Sequence, residues 1–387
     1  MDDGIAKSGS LRPATRLAHA GLNPQANFGI VNPPVNHAST VLYPTLERFD
    51  AAHHDFHDGV HYGRLGTPTT FALEEAVSAA EGGDRAIATC SGLAAIAIAL
   101  LTHLRVGDHA LMVDSVYAPT RRLAGSMLAK AGIETTFFNG RIGGEIADQI
   151  RPNTRVIYLE SPTSMLFEVQ DIPAITAIAR SRGIVTIIDN TWGSPLAFKP
   201  FDHGIDVSVI SATKYLSGHS DVMMGMIVAR RDAFMPLRQM ATELGYCAGP
   251  DDCYLVLRGM RTVEARMRRH AESALALATW LKGRPEVAAV HSPALPGDPG
   301  HEVWRRDFRG AAGLFAITLR ESNRDRLAAM IDGMRIFGLG YSWGGFESLL
   351  LPGASGAEGT RLRLHVGLED AEDLRDDLAD GFARLTA

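Results

Sequence analysis

Only three of the 387 residues are cysteine (Cys90, Cys247 and Cys253), and no two form a C-x-x-C pair. That fits reduced thiols in a cytoplasmic protein rather than a disulfide framework. Long apolar runs are missing too. The longest, such as residues 93–101, fall well short of the roughly 20 residues a membrane-spanning helix needs. The opening Met1-Asp2-Asp3-Gly4 has neither the basic start nor the apolar stretch of a secretory leader. Charge of one sign is scarce, with a net of −6, and no block of lysine or arginine marks a nucleic-acid footprint. The basic residues of 258–269 are spread through a helical pattern and read as a solvated face. No internal repeat or low-complexity tract is present. No G-x-G-x-x-G follows the first predicted strand, which removes a dinucleotide-binding reading.

What is there is a chain that is 46% hydrophobic and long enough for a large core and two domains. Between residues 60 and 235, Val- and Ile-rich runs alternate with helical patterns. Predicted strand ends fall near Cys90, Val113, Phe138, Glu160, Asp189 and Ile210. This βα rhythm predicts an α/β fold with a mostly parallel sheet, helices on both faces and a site at the carboxyl ends of its strands. Residues 1–60 are proline-rich with little periodicity and read as an N-terminal arm against a neighbouring subunit. Residues 61–240 read as a large domain and 241–387 as a smaller C-terminal α/β domain. In the latter the pattern predicts helices at 261–283, 324–334 and 370–386, and strands at 313–319, 341–350 and 361–366.

Lys214 is the most informative residue. It follows the apolar run Asp206-Val207-Ser208-Val209-Ile210 and is flanked by Ser211, Thr213, Ser217 and Gly218. Another apolar run, Thr186-Ile187-Ile188, ends in Asp189. An amine for a Schiff base and a carboxylate for a pyridinium nitrogen are the protein's half of pyridoxal phosphate chemistry. Ser91-Gly92-Leu93 follows a strand and opens a helix, a natural anion site; alone it is an ordinary N-cap. With the hydroxyls of Ser211 and Thr213 it makes a phosphate cup. A lone Asp189 would be a salt bridge or a cap, Tyr117 packing, and Arg363 a surface arginine. Together they supply a ring-nitrogen partner, a stacking ring and a bidentate carboxylate ligand. His53, His57 and His61 have i, i+4, i+8 spacing, but Gly59 and Gly63 argue against a continuing helix. A polar loop without metal is the preferred reading.

The stretches Tyr62-Gly63-Arg64-Leu65-Gly66-Thr67-Pro68-Thr69, Glu160-Ser161-Pro162, Ile188-Asp189-Asn190-Thr191-Trp192 and Ala212-Thr213-Lys214-Tyr215-Leu216-Ser217-Gly218-His219-Ser220-Asp221 carry a family resemblance. So do Pro293-Ala294-Leu295-Pro296-Gly297 and Tyr341-Ser342-Trp343-Gly344-Gly345-Phe346-Glu347-Ser348-Leu349. Over nearly its whole length the chain resembles bacterial cystathionine β-lyases, within the pyridoxal-phosphate-dependent family of cysteine and methionine metabolism. The resemblance implies a type I, aspartate-aminotransferase-like fold and a cytoplasmic enzyme of trans-sulfuration and methionine biosynthesis. It implies that Lys214 holds the cofactor, removes the Cα proton and protonates the departing sulfur, and that Asp189 pairs with the pyridine nitrogen. Tyr117 would stack on the ring beside Lys214 at the catalytic centre. Gly92, Leu93, Ser211 and Thr213 would hold the phosphate from one subunit, and Tyr62 and Arg64 from its neighbour, in a homo-oligomer, a tetramer built from dimers that share active sites. Arg363, Ser342 and Trp343, with Tyr341 in the same wall, would bind the amino-acid substrate.

The implied reaction is α,β-elimination of L-cystathionine to homocysteine, pyruvate and ammonia. The lysine region is shared across the family and specifies the cofactor alone. Trp343 is more selective, because γ-acting relatives typically lack it. The γ-eliminating and γ-replacing enzymes, sulfhydrylases, β-lyases of other cysteine S-conjugates, and a cofactor-binding protein without turnover are the alternatives. Residues 351–360, expected as a Gly/Ala-rich loop, bear on substrate preference.

Overall fold

The computed structural model describes residues 11–52, 57, 59–356 and 359–386. Its larger sheet contains β1 (Arg85–Thr89), β2 (His109–Val113), β3 (Glu134–Phe138), β4 (Thr154–Glu160), β5 (Val185–Asp189), β6 (Val207–Ser211) and β7 (Gly225–Ala229). Their order across the sheet is β1-β7-β6-β5-β4-β2-β3. Neighbours are parallel except at β7, which runs antiparallel to both β1 and β6. All six predicted strand ends fall within one residue of an observed end. β7 escapes the sequence rhythm for a physical reason. Residues 212–224, which separate it from β6, form turns and no helix, so no helical crossover returns the chain for parallel pairing.

Helices cover both faces of this sheet. Every residue of β2 is buried, as are Val156, Ile157, Tyr158 and Leu159 of β4, the continuous apolar run expected of a doubly covered central strand. Gly92–His103 is helical because alanine, leucine and isoleucine fill it and Ser91 caps it, accepting from the Ala94 N–H at 3.1 Å. It is apolar nearly all round and correspondingly buried, packed on β6 and β7.

The smaller sheet contains β8 (Val287–His291), β9 (Leu314–Leu319), β10 (Gly338–Leu339), β11 (Leu349–Gly356) and β12 (Gly359–His365), in the order β10-β11-β12-β9-β8. It is antiparallel except for the β10–β11 pair. The helices Val263–Lys282, Arg324–Asp332 and Ala371–Thr386 accompany it, each within two residues of expectation. β9 joins the two cores by its alternation. Leu314 and Ala316 belong to the main core, whereas Phe315, Ile317 and Leu319 belong to a second cluster with Leu281, Leu362, Leu364 and Phe382.

Two expectations are corrected here. Residues 341–348 are irregular rather than the start of a strand, because Ser342 and Gly344 take positive φ (80° and 89°) and break the extended path. Residues 351–360, read as a loop, are mostly the β11–β12 hairpin; Ala357 and Glu358 lie outside the described residues. Pairing of Pro352 with Leu362 and of Ser355 with Thr360 carries the strand across a bulge at Gly353 and Ala354, overriding their low strand propensity. His53 also lies outside the described residues. The Nδ1 of His61 meets the Tyr43 hydroxyl at 2.7 Å. Among the described residues no His/Cys/Asp/Glu group could hold a metal ion, and no helix is long and apolar enough to cross a membrane.

Candidate active site

The carboxyl ends of β4, β5 and β6 open onto one cavity of about 380 Å³, lined among others by Gly92, Leu93, Tyr117, Asp189, Ser211, Thr213, Lys214 and Trp343. Its polar centre is Lys214. The Nζ donates to the Ser342 hydroxyl at 2.6 Å and lies 5.5 Å from the Trp343 ring centroid. Burial, reinforced by the Arg363 cation and opposed by Asp189, lowers the lysine pKa to about 8. Arg363 is itself buried and donates to the Ser342 carbonyl at 3.0 Å. One residue of an irregular turn thus meets both cations, the amine through its hydroxyl and the guanidinium through its carbonyl.

Asp189 ends β5, and one of its oxygens accepts from the Thr191 N–H at 2.9 Å and from the Thr191 hydroxyl. That hydroxyl in turn accepts from the Ser211 N–H at 2.8 Å, tying the β5 end to the β6 end. Burial raises the Asp189 pKa, while these bonds and Lys214 pull it down. Beside it, in register on β4, stands Glu160. Its carboxylate accepts from the backbone N–H of Tyr117 and of Ser164, both at 2.8 Å. Burial and the neighbouring Asp189 push the Glu160 pKa up to about 8.

The phosphate end is built by close approach. A Cβ on Gly92 would lie 2.8 Å from the Cβ and Oγ of Ser211, so only glycine lets the helix start meet β6. The first amides of that helix, at Gly92 and Leu93, have no intrahelical acceptor. The Thr213 hydroxyl donates to the Met224 carbonyl at 3.2 Å and accepts from the Met224 N–H at 2.9 Å. Its contribution to an anion therefore requires rotation. Tyr62, Arg64, Tyr341, Ser342 and Arg363 are not among the residues that line the cavity; Ser342 and Arg363 stand beside it, linked to Lys214 through the Ser342 hydroxyl and carbonyl. Arg64 instead donates to the Thr242 carbonyl at 2.7 Å, and Tyr341 is 87% exposed.

Sequence reasoning overlooked Thr191 and Glu160 as site residues, though both lay in quoted motifs. Glu160 carried the same signal as Asp189, a carboxylate ending an apolar strand.

The Cys/Met metabolism PLP-dependent enzyme family matches residues 14–383. This chain belongs to that family. Cystathionine beta-lyase MetC of Escherichia coli is 41% identical over 387 residues, covering 96% of this chain and 98% of that protein. An L-alanine/L-glutamate racemase of Wolbachia pipientis is 41% identical over 390 residues, 95% and 96% of the two chains. Among solved structures, metB from Corynebacterium glutamicum superposes with a TM-score of 0.91 at 30% identity, covering 97% of this chain and 99% of that one. The fold is accordingly the type I fold of pyridoxal-phosphate enzymes, and the family's cofactor is pyridoxal phosphate. The residues present fit it. The cavity offers one half-buried amine of lowered pKa, one carboxylate at a strand end, and a glycine-tight helix start beside two hydroxyls.

Proposed function

We propose that this chain is a cystathionine β-lyase, converting L-cystathionine to homocysteine, pyruvate and ammonia. The observation that carries this reading is the Lys214–Ser342–Arg363 arrangement, with a partly neutral amine beside a guanidinium suited to a substrate α-carboxylate. Pyridoxal phosphate supplies the electron sink that stabilises charge developing at the substrate Cα. Lys214 holds the cofactor, accepts the Cα proton at Nζ and returns a proton to the departing sulfur. Asp189 would pair with the pyridine nitrogen and Tyr117, on the cavity wall, would face the ring. The N–H groups of Gly92 and Leu93, with Ser211 and Thr213, hold the phosphate. Arg363 would pair with the α-carboxylate beside Ser342 and Trp343, while Tyr341 stays outside the wall.

In this reading residues 1–60 act as an arm, 61–240 bind the cofactor and 241–387 supply the carboxylate site. Tyr62 and Arg64, outside their own chain's cavity, serve a neighbouring subunit in a tetramer built from dimers, in the cytoplasm. Light scattering tests the assembly. Activity restored on mixing inactive Lys214→Ala and Tyr62→Phe subunits tests the shared site.

The racemase relative, as similar as the lyase from Escherichia coli, favours a second reading in which the Cα proton is removed and replaced without loss of sulfur. Mass-spectrometric product analysis with L-cystathionine separates the possibilities. Homocysteine and pyruvate support the proposal. Cysteine and 2-oxobutyrate would move the enzyme to the γ branch and remove Trp343 as a marker. Unaltered cystathionine with racemised alanine would favour the second reading.

A further inference from the structure

Behind the Ser342 turn lie two fully buried histidines, His270 and His365, with ring centroids 5.3 Å apart. His270 Nδ1 lies 2.8 Å from the Val366 carbonyl, so it carries the proton and leaves Nε2 as an acceptor. His365 Nε2 lies 3.0 Å from the Gly344 N–H and 3.1 Å from the Gly345 carbonyl, contacts that ask for opposite tautomers. If Nε2 carried the proton, the buried Gly344 N–H would lose its acceptor. His365 Nδ1 would then be a second buried acceptor without a donor, like His270 Nε2 on the neighbouring ring. If Nε2 accepts, Gly344 is satisfied and Nδ1 becomes a donor. Both His365 Nδ1 and His270 Nε2 are buried and otherwise unpartnered. No direct hydrogen bond joins the two rings; one donor and one acceptor on rings whose centroids are 5.3 Å apart are matched for a bridge through a single buried water.

We propose that His365 and His270 form a neutral imidazole pair that positions the 342–345 turn against Lys214, and with it Ser342 and Trp343. The anchoring point is where the turn comes closest. A Cβ on Gly344 would lie 2.9 Å from the Lys214 carbonyl carbon and the Tyr215 nitrogen. Ser342, held at φ 80°, has no regular hydrogen-bonded ladder to fix it. Tyr215 packs against both histidines and Trp343, closing the pair off from the cavity. Its effect on turnover rests on the lyase reading above; the pair itself does not.

Two measurements test this on the cofactor-loaded protein. Long-range proton–nitrogen NMR of ring-labelled histidine, assigned with His270→Leu, is expected to show both residues with the proton on Nδ1, the form disfavoured in free histidine. A proton on Nε2 of His365 overturns the pair. In kinetics, His365→Leu is expected to raise KM for L-cystathionine about tenfold with a smaller change in kcat, the loss of about one hydrogen bond's worth of substrate-site order. His365→Gln, whose amide oxygen can accept from the Gly344 N–H, is expected to recover most of it. An unchanged KM in His365→Leu overturns the positioning role, as does an equal loss in the leucine and glutamine variants. If the unsubstituted enzyme leaves cystathionine intact, the lyase reading falls while the tautomers still decide the pair.

Discussion

The amine of Lys214 donates to the hydroxyl of Ser342 across 2.6 Å, although 127 residues lie between them and they belong to different sheets' surroundings. The larger sheet supplies the base, and a turn before β11 holds it. Lys214→Ala therefore removes both the cofactor's attachment and the proton acceptor. Turnover is expected to fall by at least about a thousandfold, with loss of the absorbance of the lysine-bound cofactor. Ordinary lyase activity in that variant would refute the assignment.

The lowered lysine pKa has a direction that can be read without turnover. In cofactor-free protein, acylation of Lys214 by an amine reagent needs the neutral amine. Its rate is expected to climb about tenfold per pH unit below about 8 and to level off above, rather than near 10.5. Removing the neighbouring cation in Arg363→Leu moves the midpoint up. Removing the carboxylate in Asp189→Asn moves it down, because Asp189 favours the charged ammonium. Peptide mass spectrometry of the labelled lysine reads both shifts. A midpoint that ignores both substitutions would place Lys214 outside their field.

Thr191 binds the ends of β5 and β6 together through one hydroxyl. Thr191→Val keeps the shape but deletes the donor to Asp189 and the acceptor for the Ser211 N–H. Bonds of this kind to a charged group contribute about 1.5–3 kcal/mol. Cofactor affinity is therefore expected to weaken by roughly tenfold or more, measured by equilibrium dialysis. Unchanged affinity would mean that the sheet and the Thr191 N–H hold Asp189 without the hydroxyl.

How far the sequence revealed this depended on the range of the interaction. The parallel strands were legible because each is an apolar run ending at a regular spacing, and Asp189 and Lys214 stood out at two such ends. β7 was missed because its connection from β6 is a turn with no helix and breaks the βα rhythm, and the 351–360 hairpin because cross-strand pairing overrode its glycines and proline. The roles of Thr191 toward Ser211, of Glu160 toward Tyr117 and of His365 toward Gly344 are long-range. Each acts through a backbone N–H or a carboxylate that only the folded chain brings near, as with the Tyr117 N–H on Glu160.

Glu160 gives a stability test with a definite sign. Its carboxyl is raised from 4.5 to about 8 by burial and then by Asp189, so between those values the folded protein binds more protons there than the unfolded chain. Stability from this group is present below pH 4.5 and is lost as pH rises through about 8. Glu160→Gln cannot ionise, yet its side-chain oxygen can still accept from one of the two N–H groups. The offset between the variant and the unsubstituted protein therefore mixes a lost hydrogen bond with a relieved charge, and its absolute size decides nothing. Its slope does. The melting temperature of cofactor-free Glu160→Gln, relative to the unsubstituted protein, is expected to increase steadily from pH 5 to pH 8 and to flatten above. Glu81, a second buried carboxyl raised to about 7, is present in both proteins and cancels. A difference that stays constant over that range would mean Glu160 is already ionised at pH 5, its two backbone donors outweighing burial and Asp189.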